Sequence, residues 1–118
     1  MTPFGEKIRA LRASRGISQA QMAADLNISA AYLSALEHGK RGRPSWALVQ
    51  RIIAYFQIIW DEAEELEELA RLSHPRQIID TAGLNPKATA FVNRLAREID
   101  RLPEERLDAL LRVLDGGD

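Results

Sequence analysis

The sequence contains no cysteine. Disulfides, thiolate metal sites and cysteine nucleophiles are therefore excluded together. Histidine is almost as scarce. Only His38 and His74 could serve as imidazole ligands or bases, and neither has a metal-ligand partner at helical spacing. No metal and no cofactor is expected. Long apolar runs are missing too. The longest, Ile52 to Trp60, is broken by Gln57 and falls far short of the roughly 18–20 residues a membrane span needs. The opening residues lack the basic-then-apolar pattern of a secretory signal. A cytoplasmic location is expected, with no membrane partner. No clustered Ser/His/Asp set and no phosphate loop occurs, so the chain is not expected to be an enzyme.

What is present is unevenly charged. The 118 residues suffice for one compact domain, or a small domain with an accessory element. Their 46% hydrophobic and 28% charged content is that of an ordinary folded chain. The net charge of −1 conceals a division. Residues 1–59 carry eight cations (Lys7, Arg9, Arg12, Arg15, Lys40, Arg41, Arg43, Arg51) against three acids (Glu6, Asp25, Glu37), a net of +5. The remainder nets −6. A basic half joined to an acidic half suggests that only the first meets a polyanion. Uneven surface charge accounts for the same numbers equally well.

No run alternates in the manner of a strand, and the chain reads as all-α. Phe4, Ile8 and Leu11 are spaced for the buried face of a first helix ending near Gly16. Ser18 with Gln21 three residues on forms a capping box for a second helix, running to about Asp25. Asn27 tolerates left-handed backbone angles and marks a tight turn. Ser29 caps a third helix from Ala30 to about His38, which Gly39 stops. Ser45 caps a fourth carrying Trp46, Val49, Ile52, Ile53 and Phe56, and a fifth runs from Asp61 to about Leu72. Residues 73–85 read as a hinge. Asn85-Pro86 opens a sixth helix with Phe91, Val92, Leu95, Ile99 and Leu102 in one stripe. Pro103-Glu104-Glu105 opens a last one with Leu107, Leu110, Leu111 and Leu114. The expected organisation is a domain over 1–72, the hinge, a helical hairpin over 86–114 and a frayed tail at 115–118.

The informative stretch is Gln19 to His38. Two short helices joined by a tight turn must satisfy several local demands at once. Their closest approach needs a small residue, which Ala23 supplies. The turn needs unusual backbone angles, which Asn27 supplies. The second helix must bury a face, and Leu33 and Leu36 stand three apart. Met22, Leu26 and Ile28 complete the apolar side. With Ile8-Arg9-Ala-Leu-Arg before it and Leu33-Ser-Ala-Leu-Glu-His-Gly at its close, this pattern resembles the helix-turn-helix of the XRE family, the Cro and phage-repressor-like regulators. The resemblance runs from about Phe4 to Leu72. Asn27 stands where Gly is commoner in that family.

The resemblance implies a five-helix lambda-repressor-like DNA-binding domain, with double-stranded DNA as partner and the third helix in the major groove. Ser29, Ala30, Ala31, Tyr32, Ser34 and Ala35 would then lie near the bases. Ser18, Gln19, Lys40, Arg41 and Arg43 would meet phosphate, and Arg9, Arg12 and Arg15 could add contacts. Alanine cannot make bidentate bonds to purines, so Ala30, Ala31 and Ala35 point to thymine-methyl contact and to readout through water and DNA shape. Tyr32 also suits packing. His38 suits capping of its helix end as well as it suits DNA. Glu37 is expected to pair with a local Arg or Lys, Trp46 and Trp60 to be core or interface anchors, and the acidic run from Asp61 to Glu68 to be a solvated helix face.

The C-terminal stripe needs a cover. Phe91, Leu95, Ile99, Leu102, Leu107, Leu110, Leu111 and Leu114 make too much apolar surface to leave wet. The expectation is a homodimer joined through this hairpin and bound to an inverted repeat as a repressor-type regulator. Folding back on its own domain is the plainer alternative. A rival function is an antitoxin whose C-terminal region neutralises a toxin while the same chain represses its own operon. RNA polymerase is another conceivable protein partner. A ligand-sensing regulator is disfavoured, because little chain is left to build a pocket.

Overall fold

The computed structural model describes residues 1–117, and these are all-α, with no strand among them. Seven α-helices follow in order: α1 (Pro3–Arg15), α2 (Gln19–Asp25), α3 (Ala30–Glu37), α4 (Trp46–Phe56), α5 (Trp60–Arg71), α6 (Pro86–Glu98) and α7 (Glu104–Leu114). A single 3₁₀ turn, Ile99–Arg101, prolongs α6. The chain divides into two compact units, Met1–Gln77 and Ile78–Asp118. Asp118, the end of the expected tail, lies outside the described residues.

Capping sets most of the helix starts. The side-chain oxygens of Thr2, Ser18, Ser29 and Ser45 each accept the backbone N–H three residues on, at 3.0–3.2 Å. Asn85 accepts the Lys87 N–H at 2.8 Å, with Pro86 in the first turn. Each such cap stabilises its helix by about 1 kcal/mol. The capping box at α2 is only half formed. Ser18 does accept from Gln21, but the Gln21 amide donates to Asp25 instead of reaching back. Helix α5 begins one residue earlier than the sequence suggests, at Trp60, whose φ of 54° is unusual for so bulky a residue.

The first unit has a continuous aliphatic and aromatic core. Phe4 and Ile8 from α1, Met22 from α2, Leu33 and Leu36 from α3, Ile52 and Phe56 from α4 and Leu66 from α5 are all fully or almost fully buried. The start of α1 is pinned by the end of α5: the Phe4 N–H donates to the Ser73 hydroxyl at 2.9 Å, and Ser73 is buried. Ser73, at the head of the expected hinge, is thus built into the first unit.

The second unit is of another kind. None of the described residues in α6, the 3₁₀ turn or α7 is buried. Its local order comes from hydrogen bonds, such as Thr89 Oγ1 to Thr81 Oγ1 at 2.8 Å and the Ala82 N–H to Asp80 at 2.9 Å. Helices α6 and α7 flank an open cleft of about 650 Å³. Ala90, Phe91, Leu95, Leu102, Ala109 and Leu110 give it an apolar lining, with Lys87, Arg94, Glu98 and Arg106 also around it.

Candidate nucleic-acid interface

The arrangement of α2 and α3 follows from a few small residues. Ala23 is buried where the helices meet. Asn27 takes φ 58°, and the Asn27 and Ile28 N–H groups close the turn on Ala24 and Ala23 carbonyls at 3.1 and 2.9 Å. A Cβ-bearing residue other than Asn or Asp would be strained at that φ.

Behind α3 lies a buried polar brace. Glu37, with no exposed surface, accepts from both terminal nitrogens of Arg12, one of them at 3.3 Å, and from the Gln19 amide at 3.3 Å. Its backbone carbonyl accepts the Thr2 N–H at 3.0 Å and the Thr2 hydroxyl at 3.2 Å. Gly5 fits there only because it lacks a side chain, since a Cβ would overlap the Glu37 carbonyl. The C-terminal end of α3 is therefore fixed against α1, which sets the direction in which its other end projects.

This brace corrects two sequence expectations. Glu37 does not pair locally: its cation comes from α1, twenty-five residues away. Arg12 is not a surface cation available to DNA, because it is buried on Glu37. Arg15 is likewise engaged, donating to the Phe56 carbonyl with its guanidinium 5.5 Å from the Phe56 ring centroid. Arg9 is exposed, and its one side-chain hydrogen bond among the described residues is to the Met1 sulfur, at 3.8 Å.

The outer surface has its own order. Ser29, Ala30 and Ala31, at the start of α3, are exposed. Tyr32, Ser34 and Ala35 are half-buried, so only part of the six-residue set stands clear of the protein. Tyr32 packs on the core and lines a groove of about 490 Å³ with Ile28, Ser29, Ser45, Ala47, Leu48 and Arg51. The start of α4 therefore lies beside the start of α3. His38 caps its own helix end, its Nδ1 lying 2.8 Å from the Ser34 carbonyl. Ser18 is exposed, and Gln19 is half-buried and bound to Glu37. Lys40, Arg41 and Arg43 are exposed and make no ion pair among the described residues.

Electrostatically the surface is one-sided. Between Asp25 and Asp61 the sequence holds one carboxylate, Glu37, and it is buried and paired. Asp25 itself is engaged by the Tyr55 hydroxyl at 2.6 Å and the Gln21 amide at 2.7 Å. Burial, with that hydrogen bond and the Asp25 charge, pushes the Tyr55 phenol up to about 12. The acidic face of α5 is held partly by Lys7, 3.8 Å from Glu62 and 3.7 Å from Glu65.

Of the two roles expected for the tryptophans, core or interface anchor, the first is overturned. Trp46 is 59% exposed and Trp60 81% exposed, so neither is a core residue. The available signal was the α4 stripe itself: Leu48, Val49, Ile52 and Phe56 fill the buried face, and Trp46 falls outside it. On the C-terminal unit, Phe91, Ile99, Leu110, Leu111 and Leu114 are exposed, while Leu95, Leu102 and Leu107 are half-buried.

Comparison with known proteins agrees with this geometry. The chain is 36% identical over 61 residues to the uncharacterized HTH-type transcriptional regulator RghRB of Bacillus subtilis (strain 168), covering 52% of this chain and 44% of that one. It is 38% identical over 61 residues to the HTH-type transcriptional repressor RghR of the same organism, covering 52% and 45%. The chain thus spans less than half the length of these relatives. No solved structure matches it significantly. A family model described as a helix-turn-helix domain matches residues 3–69, which hold the whole of α1 to α4 and nearly all of α5. With more than half of its length matched, the chain belongs to the helix-turn-helix domain family.

Proposed function

We propose that this chain is a sequence-specific, DNA-binding transcriptional regulator that acts as a repressor. The observation that carries the reading is the exposed start of α3, free of surface carboxylates and followed by three cations that make no ion pair among the described residues. A duplex presents a dense line of phosphates, and such a surface gathers it by counterion release. Ser29, Ala30 and Ala31 reach the base edges first, with Tyr32, Ser34 and Ala35 deeper along the same face. The alanines read thymine methyls. Lys40, Arg41 and Arg43 lie over the backbone, with Ser18 and Gln19 on the phosphates beside α2.

One α3 reads only a short half-site, so the regulator works as a homodimer on an inverted repeat. Phe91, Leu95, Ile99, Leu102, Leu107, Leu110, Leu111 and Leu114 supply the joining face. Support for this comes from the C-terminal unit, whose helices leave their apolar stripes uncovered. The same observation favours one second reading, in which the stripe is covered by a partner protein such as a toxin. The test is to incubate the purified chain with fragmented genomic DNA, recover the bound fragments and sequence them. A repeated motif with two-fold symmetry is expected. Recovery of no motif would remove the function, and co-purification of a stoichiometric second protein would favour the second reading.

A further inference from the structure

We propose that Trp46 is a DNA-contacting residue, laying its indole against the sugar–phosphate backbone beside the base-reading helix. The inference rests on the DNA-binding reading above and adds a residue that the helix-turn-helix itself does not contain. Trp46 opens α4 directly after Arg43, Pro44 and Ser45, and 59% of it is exposed. The start of α4 shares a groove with the start of α3, through Ser45, Ala47 and Leu48 on one side and Ser29 and Tyr32 on the other. Any duplex that meets Ser29 through its major groove therefore brings a flanking strand towards Ser45 and the start of α4, which Trp46 opens.

The chemistry of the surroundings commits the occupant. Trp46 makes no aromatic pair among the described residues, and the cation nearest before it in sequence, Arg43, makes no ion pair among them. A large exposed apolar ring three residues after such a cation suits a polyanion whose sugars present apolar faces between phosphates. Trp60 provides the contrast inside the same unit. It is 81% exposed, but it heads α5 and is followed by Asp61 and Glu62, where phosphate is repelled. Exposure alone does not distinguish the two tryptophans. The charge around them does.

The two residues also make the test direct. Trp60→Phe leaves Trp46 as the only indole, and Trp46→Phe leaves Trp60. Each protein is titrated with a short mixed-sequence duplex at low salt. Trp46 emission is expected to be quenched and shifted at saturation, and Trp60 emission to stay unchanged. Trp46→Ala is expected to weaken binding roughly threefold to tenfold, without changing the slope of log K against log salt, because no phosphate charge is neutralised by an indole. Lys40→Ala and Arg43→Ala are expected to lower that slope. Unchanged Trp46 emission at saturating DNA, or wild-type affinity in a folded Trp46→Ala protein, overturns the contact while leaving the DNA-binding function standing. Failure of the unsubstituted chain to bind any duplex removes both.

Discussion

The two units of this molecule use the same helical grammar and reach opposite results. Helices α6 and α7 are as clearly amphipathic as α4, yet α4 buries Leu48, Val49, Ile52 and Phe56 while α6 and α7 leave no residue more than half-buried among those described. In the first unit five helices close on one another around a shared core. In the second, two helices stand at the sides of an open cleft. The difference teaches that periodicity specifies a helix and its sticky face but not the surface that covers the face. A unit of about forty residues seldom stabilises itself without a staple or a partner.

The comparison predicts where substitutions will be felt. The largest effect is expected at Glu37, although it is polar. Glu37→Ala leaves the Arg12 guanidinium buried without its counter-charge, which costs about 3–5 kcal/mol. A small domain has only ~5–15 kcal/mol in total, so the first unit should lose its cooperative melt or show a much lower Tm by circular dichroism. A Tm within a degree or two of the parent would refute the role given to the brace. Gly5→Ala comes next, at about 3 kcal/mol, since backbone on both sides of the contact has to move. Its signature is a destabilised α1–α3 junction read by amide exchange at Glu37 and Thr2.

In the second unit the same kind of change should be silent in one measurement and loud in another. Phe91→Asp with Leu111→Asp alters two residues that are 51% and 58% exposed. Within one chain the pair should cost little, but in the proposed dimer it should remove about 2 kcal/mol of association. Sedimentation is expected to report a monomer, with the melt of the first unit unchanged. A dimer that persists would sharpen the contrast differently, by placing the joining surface elsewhere.

Most of the first unit was legible, because its signals are local. Thr2 aside, the capping residues, Asn27 and the Leu33–Leu36 spacing each act within a few positions, and backbone hydrogen bonds follow from them directly. The brace was not legible. Arg12 and Glu37 sit on helices whose sequence separation conceals their contact, and an arginine on a basic helix reads as a surface charge until α3 is seen behind it. Gly5 was silent for the same reason, since a helical glycine advertises no close approach. At the interface, residue types were readable but depth was not: Tyr32, Ser34 and Ala35 share a helix with Ala30 and Ala31 and differ only in which way the core lies.

The smallest expected effect separates the units by pH. Tyr55 in the first unit has its phenol raised from 10.0 to about 12, by burial and then by its bond to Asp25. A raised folded value means that the neutral phenol is favoured by folding. Its contribution is complete below pH 10 and is lost as pH rises through about 12. The half-buried Glu98 of the second unit behaves oppositely. Its hydrogen bond and ion pair with Arg94 hold the carboxyl below its usual value, so whatever it adds is present above that value and fades as acid protonates it. Tyr55→Phe should therefore flatten the alkaline fall in stability of the first unit by about 1 kcal/mol, while leaving the acid limb alone. Urea melts of parent and variant from neutral pH to pH 12 would measure the difference directly. Parallel curves across that range would mean that the Tyr55–Asp25 bond contributes nothing to folding. The α2–α4 contact would then rest on apolar packing and on the bond from Arg51 to the Leu26 carbonyl.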